Sequence, residues 1–384
     1  MIIGIDGSNL RQGGGLTHII ELLSAGEPDQ FGIKKIIIWS GKNTIDRIED
    51  RGWLIKKEEP LLNKSIIFRL FWQKIILRKL LILENCDLLF VPGGTDASGF
   101  QPMVTMCRNM LPFEWKEMFR FGLSRMTIKL FLLRFSQLLS FKNATGLIFL
   151  TKYAESKISP LLNHKQLQIK VIPHGIDKRF FKEPRLQRNI SEFNEEFPFK
   201  LIYVSIIDVY KHHTNVVIAV TNLRKKGYPV ILELIGPNYK PEMKKLLKMI
   251  KKVDPHSKFI NYLGSVDHQH LNRLYLNANL NIFASSCENM PNILLEGMAS
   301  GLPIACSNMG PMPEILKDGG LYFNPEIPQE IEYTIEDFLL NVDLRRSKSK
   351  ISFEEAKNYS WNECAKNTFQ FLSDVYSQRL EFRS

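Results

Sequence analysis

The sequence predicts an α/β protein of two Rossmann-like domains, each built on a parallel sheet. The chain has 384 residues, too many for one ordinary hydrophobic core and enough for two. Short apolar runs of strand length alternate with segments of helical period along the chain. Those runs empty into polar or glycine-rich loops, as expected at the carboxyl ends of parallel strands, where α/β sheets bind ligands.

Residues 2–6 read as the first buried strand, followed by Gly13-Gly14-Gly15 and then Leu16, Ile19, Ile20, Leu22 and Leu23 at helical spacing. Glycine lets backbone N–H groups approach a phosphate or sugar, which makes Gly14 and Gly15 candidate contacts; a tight turn without a ligand explains them equally. His18 reads as a packed histidine. Residues 36–39, 88–91, 103–107, 147–150 and 169–172 read as further strands, and the 103–107 strand delivers Arg108 and Asn109 to the loop edge. A first domain is expected over 1–178, closing near Pro173-His174-Gly175-Ile176-Asp177, with polar 178–198 as the linker.

The second domain, expected over 179–358, repeats strand and helix: strands at 201–206, 230–235, 259–263, 280–283, 304–306 and 321–323, helices at 214–226, 241–253 and 268–277. Residues 359–384 carry a last helix, about 361–376. Ser205, Gly236 and Gly264 stand where strands end and are candidate ligand contacts.

Two stretches of the first domain are basic and aromatic. Residues 62–83 carry Lys64, Arg69, Lys74, Arg78 and Lys79 with no acid, and 115–141 carry Arg120, Arg125, Lys129 and Arg134 among Phe119, Phe121, Phe131 and Phe135. Such helices lie flat on anionic lipid; they also cover sheets with their basic faces in water. The net charge of +11 suits an anionic partner.

The composition, 44% hydrophobic and 24% charged, is that of a soluble globular chain without an apolar run long enough to span a membrane. The start, Met1-Ile2-Ile3-Gly4-Ile5, lacks the pattern of a signal peptide, and five cysteines without C-x-x-C speak for a reducing compartment and against a zinc site. A cytoplasmic protein is expected, peripheral on the inner membrane face if a basic stretch docks there. No D-x-D or His/Cys/Asp cluster offers to hold a metal.

The stretch 283–303 holds the chemistry. A strand at 280–283 breaks into small and polar residues, Pro291 fits the first helical position, and Ile293, Leu294, Leu295 and Met298 give the helix its apolar side. Glu288 then sits in the loop and Glu296 about a turn and a half into the helix. A carboxylate on a mostly buried helix needs donors. Solvent or an arginine satisfies that need, and so do ligand hydroxyls across the helix start, where the N–H groups from about Met290 to Ile293 hold anionic or polar groups.

Glu288, seven residues, then Glu296, with Gly301-Leu302-Pro303 and Pro313-Glu314-Ile315 behind, resembles the E-x7-E signature of the retaining GT-B glycosyltransferases of family 4. The similarity extends more thinly over nearly the whole chain. It implies two Rossmann-like domains facing a central cleft, with the last helix crossing back to the first domain. It also implies a UDP- or GDP-sugar donor and a saccharide or lipid-linked acceptor, as in polysaccharide or lipopolysaccharide synthesis. Under it, Glu296 holds the ribose, Glu288 contacts the transferred sugar with help from Asn289, Met290, Pro291 and Asn292, and Lys211 meets the diphosphate. No cofactor or metal is implied.

The chain departs from the family at three places: Ile206 stands where an arginine is usual, Arg108 where a histidine is usual, and His174 where the domain-closing turn has asparagine. His212, His213, Lys152 and Arg108 are the candidates to replace the missing arginine. A sugar-nucleotide epimerase of the same architecture and a nucleic-acid-binding protein stand as alternatives. A dehydrogenase would need G-x-G-x-x-G, which the Gly13 loop lacks.

Overall fold

The computed structural model describes residues 1–11, 13–162 and 167–381, and the chain divides into two compact units. The first unit comprises residues 1–115, 123–175 and 360 onward; the second comprises 116–122 and 176–359.

In the first unit β1 (Ile2–Asp6), β2 (Lys35–Ser40), β3 (Leu54–Glu58), β4 (Leu88–Val91), β5 (Met103–Met106), β6 (Gly146–Phe149) and β7 (Gln168–Val171) form one parallel sheet. Their order is β3-β2-β1-β4-β5-β6-β7. Ile3 lies between Ile36 and Leu88, and all three are buried, as the apolar runs require. The expected strand list lacked β3. Its sequence, Leu-Ile-Lys-Lys-Glu, is that of an edge strand whose charges discourage further pairing.

The basic stretch 62–83 is largely one helical rod, Ile66–Phe71, a π-helical Trp72–Leu77 and Arg78–Leu83, with right-handed helical dihedrals at the joins. Trp72, Leu77 and Leu81 are buried against Ile37, Leu89 and Val91 of the sheet. Ile67, Leu70, Phe71, Lys74, Ile75, Arg78, Lys79 and Leu83 are exposed.

The stretch 115–141 is not one element, and this corrects its reading as one basic, aromatic helix. A short helix, Trp115–Phe119, is followed by a break with Gly122 at φ +63°; a second helix, Arg125–Asn143, starts at Ser124, whose hydroxyl caps the N–H of Thr127. Arg120 is spent on Glu117 and Glu326, Lys116 pairs with Glu326, and Arg134 lies over the rings of Phe113 and Trp115, while Arg125, Lys129 and Lys142 stand exposed on the second helix.

The last helix, Trp361–Glu381, belongs to the first unit. Its Trp361 ring lies 5.7 Å from His18 and 5.6 Å from His174. A Cβ on Gly175 would stand 2.1 Å from the Trp361 nitrogen, so only glycine fits that turn.

In the second unit β8 (Phe199–Val204), β9 (Val230–Ile235), β10 (Ile260–Gly264), β11 (Leu280–Phe283), β12 (Ile304–Ser307) and β13 (Leu321–Phe323) form a parallel sheet ordered β10-β9-β8-β11-β12-β13. The strand order reverses between β8 and β11, and the loops after those two strands carry Lys211 and Glu288. That is the switch point at which ligands of such sheets bind.

Candidate active site

The loop after β8 ends in a short turn, Val209–Lys211, capped by the Asp208 carboxylate on the N–H of Val209. The buried Tyr203 hydroxyl donates to the Lys211 carbonyl at 2.8 Å, and the N–H of Ser286 donates to the Tyr210 carbonyl at 2.8 Å. The two loops are thereby fastened together, and the Lys211 ammonium meets the Glu288 carboxylate as an ion pair. Both side chains are largely buried, with the ammonium 5.0 Å from the Tyr210 ring centre and 5.5 Å from that of Phe283. A cation held there is shielded from water, which strengthens its pull on any anion brought beside it.

The helix that follows runs Asn292–Ala299, with Pro291 as its cap rather than its first residue. Glu296 is buried, and its Oε1 accepts from His268 Nε2 at 2.7 Å. His268 Nδ1 in turn contacts the guanidinium of Arg179, which only donates, so Nδ1 accepts and the hydrogen sits on Nε2. Arg179 is tied back to Asp177 at 3.1 Å. Burial raises the Glu296 carboxyl above its ordinary range, and the His268 hydrogen bond works against that rise.

Glu296 Oε2 has no partner although it is buried, and neither has Asn292 Oδ1. The two residues are four apart on one helix and share a face. Two acceptors left without donors are costly unless something supplies hydrogens.

Ser205, Gly236 and Gly264 meet at the edge of β8, β9 and β10: Ser205 N–H donates to Ile235 and Gly236 N–H to Gly264, each at 2.8 Å. Gly236 has φ +142°, and a Cβ there would stand 2.1 Å from the Ser205 oxygen, so a side chain is excluded. Asn289, Met290 and Pro291 are buried in the loop before the helix. Arg108, Gly14 and Gly15 lie in the first unit, where the guanidinium donates to the carbonyls of Gly14 at 2.6 Å and Gly15 at 3.2 Å. Burial lowers that guanidinium to about 10, which leaves it charged at neutral pH.

Neither His212 nor His213 replaces the missing arginine as a cation. Burial pushes His212 down to about 4, and His213 is packed on the Tyr203 ring at 4.5 Å with its own value driven well down by burial. His212 instead donates from Nε2 to Ser286 Oγ at 2.9 Å, because the Ser286 hydroxyl gives its hydrogen to Glu117 at 2.6 Å.

Sequence reasoning gave no role to three parts of this site. Arg179 and His268 orient Glu296 from 117 and 28 residues away, and spacing carries no sign of either. The segment 116–122 leaves the first unit's chain path to join the second, where Glu117 takes hydrogens from Ser286 and from Arg120 Nε at 2.7 Å. Glu326 pairs with Lys116 at 2.8 Å and with Arg120. The acids at 117 and 326 were the available signal. Among the described residues no group of three or more His, Cys, Asp or Glu is placed to hold a metal ion, and no helix is long and apolar enough to cross a membrane.

Residues 185–354 match the model of the Glycosyl transferases group 1 family. That segment contains Lys211, Glu288 and Glu296 and is under half of the chain. The O-antigen chain mannosyltransferase B of Escherichia coli is 32% identical over 110 residues, 29% of this chain and 29% of that protein. Sucrose-phosphate synthase from Thermosynechococcus elongatus superposes with a TM-score of 0.78 at 16% identity, over 98% of this chain and 100% of that one. Anabaena HepE in complex with UDP and glucose gives 0.70 at 16%, over 97% and 99%. The fold is GT-B. Neither the epimerase nor the nucleic-acid alternative gains support from these likenesses.

Proposed function

We propose that the protein is a retaining glycosyltransferase. It moves a sugar from a UDP- or GDP-sugar to a saccharide or lipid-linked saccharide in the synthesis of cell-surface polysaccharide or lipopolysaccharide. The observation that carries the reading is the pair of buried, unpartnered acceptors on one helix face, Glu296 Oε2 and Asn292 Oδ1. Ribose hydroxyls are donors of the right kind for them, and the first-turn N–H groups of the same helix suit the adjoining phosphates. The family match over this segment and the mannosyltransferase relative support the same chemistry.

In this reading Lys211 turns from Glu288 toward the donor diphosphate and stabilises the charge that grows on it as the sugar leaves. Glu288 accepts from hydroxyls of the transferred sugar. The bond from the anomeric carbon to phosphate breaks while the acceptor oxygen bonds to the same face, and the departing phosphate oxygen takes the acceptor proton. The lysine and the helix start supply the positive charge, so no metal is required. We further assign the exposed basic and apolar face of residues 66–83 to the cytoplasmic membrane surface, where the enzyme works as a peripheral protein.

Incubation with UDP- and GDP-sugars, with and without EDTA, tests the reading. Release of free sugar from at least one donor, unaffected by EDTA and with the anomer retained by NMR, is expected. No turnover of any donor, or inversion, contradicts it.

A further inference from the structure

The first unit has a polar pocket at the carboxyl edge of its own sheet, remote in sequence from the family-matched segment. It is lined by Asn9 and Arg11 from the loop after β1, Gly41 after β2 with Asn43 and Thr44 of the short helix Lys42–Ile45, and Asn63 and Arg69 beyond β3. Its volume of about 620 Å³ is that of a small-ligand site.

The lining is built and fixed. The Lys42 N–H donates to Asn63 Oδ1 at 3.0 Å, Asn43 Nδ2 donates to the Arg11 carbonyl at 3.2 Å, and Asn9 Nδ2 donates to Thr95 at 3.1 Å. Two guanidiniums enter this frame, and oxygens without formal charge receive them. Arg69 donates to the Ser8 carbonyl at 3.2 Å and Asn9 Oδ1 at 3.0 Å, and Arg11 donates to the Lys64 carbonyl at 3.3 Å. Arg69 Nε is buried with no partner. Burial lowers the Arg69 guanidinium, the neighbouring Arg11 charge lowers it further, and the buried Asp6 works in the opposite direction. Lys42 and Lys64 stand exposed at adjoining positions. Two converging guanidiniums with a free N–H and no carboxylate in the lining are the chemistry of phosphate recognition.

Arg69 sits on the helix whose outer face is apolar. Ile66, Ile67, Phe68, Leu70 and Phe71, its nearest neighbours in sequence, are all exposed. A ligand bound at Arg69 by its phosphate therefore has an apolar surface beside it.

We propose that this pocket binds the phosphate or diphosphate of an amphiphilic acceptor, whose hydrocarbon chain lies along the exposed face of the helix Ile66–Phe71. The proposal names the acceptor class and so rests on the glycosyl-transfer reading, but its site and its residues are separate from those of the donor.

The test titrates the full chain with inorganic pyrophosphate, with farnesyl diphosphate below its micelle concentration, and with UDP and GDP. Wild type is expected to bind farnesyl diphosphate more tightly than pyrophosphate. Arg11→Gln and Arg69→Gln should each weaken both by about tenfold, the loss expected for a charge-assisted contact, and leave the nucleotide unchanged. Ile67→Glu should weaken farnesyl diphosphate alone. Arg11 is exposed, so its variant keeps the test valid if Arg69→Gln fails to fold. Glu296→Gln should weaken the nucleotide and leave farnesyl diphosphate untouched. The proposal is overturned if wild type binds neither phosphate probe or if both arginine variants bind like wild type. Loss of farnesyl diphosphate in Glu296→Gln also overturns it, since the two ligands would then share one site. Equal affinity for both probes with no effect of Ile67→Glu overturns the amphiphile. Arginine-sensitive farnesyl diphosphate binding in a protein that binds no nucleotide leaves the pocket standing and removes the donor reading instead.

Discussion

The carboxyl edges of the two sheets differ more than the sheets do. Both sheets are wholly parallel with a reversal of strand order, at β1/β4 in the first unit and β8/β11 in the second. At the second edge three cations have carboxylates: Lys211 has Glu288, Arg179 has Asp177, and Arg120 has Glu117 and Glu326. At the first edge Arg11, Arg69 and Arg108 bond backbone carbonyls and a side-chain amide. A paired cation is positioned before its ligand arrives and must be shared with it. A cation on carbonyls keeps its full charge for an anion. In the proposed reading, one edge is set for orientation and the other for capture.

The largest way to break the comparison is to remove the shared cation. Lys211→Met should lower turnover by about 10²–10³-fold, the usual loss when one donor to a developing anion is removed. It should also destabilise the fold by about 3 kcal/mol, because Glu288 is left largely buried and unpaired. Adding Glu288→Leu should restore much of the stability and none of the turnover, as read by denaturant unfolding beside steady-state rates. A single variant as stable as wild type would mean that the pair is not an orienting device.

The proposed membrane face of the first unit is tested on lipid. Replacing Lys74, Arg78 and Lys79 with Glu should weaken sedimentation with phosphatidylglycerol vesicles by about 100-fold at low salt, at about 1 kcal/mol for each lysine or arginine. Arg125→Glu with Lys129→Glu should do less, since two charges are reversed there and not three. Wild type ignoring anionic vesicles would return both helices to sheet covering.

His268→Ala sharpens the orienting side. Without its donor the Glu296 carboxyl, already raised by burial, rises further, and its ionised form is the one that accepts hydroxyls. Nucleotide affinity should fall about tenfold, and the deficit should be larger at pH 6 than at pH 8. A deficit independent of pH would assign His268 to packing alone.

A smaller effect crosses both units. His18 and His174 in the first unit and His212 and His213 in the second are all lowered, chiefly by burial. Below pH 6.5 the unfolded chain takes up protons that these buried rings refuse, so stability falls as pH drops. Each should cost about 1 kcal/mol between pH 7.5 and 5.5. Asp6, raised to about 6 by burial, runs the other way: the folded state holds its proton first and gains stability on acidification. Thermal unfolding at the two pH values should show a net loss at pH 5.5, and His213→Phe should reduce it.

The sheets were legible because parallel strands buried on both faces are written as apolar runs, as at Ile36-Ile37-Ile38 and Leu88-Leu89-Phe90-Val91. The edge strand β3 was not, since its lysines and glutamate break the run. The helices Pro328–Leu340 and Val342–Ala356 also went unread; the second shows little amphipathic pattern and buries Arg345 against the carbonyls of Phe338 and Leu339. Local pattern placed Lys211 and Glu288 on loops and Glu296 on a helix, and the roles expected of them came from the family resemblance. His268, Arg179, Glu117 and the Arg11–Arg69 pocket could not be named, because each acts on a residue brought near only by the fold.

The most direct test of the central claim is calorimetric titration of wild type and Glu296→Gln with UDP and GDP, with circular dichroism as the check on folding. The account predicts that wild type binds one of them and that the variant, folded and no less stable, binds it about 10- to 100-fold more weakly, the worth of one or two hydrogen bonds to a charged acceptor. A folded Glu296→Gln with wild-type affinity would contradict it.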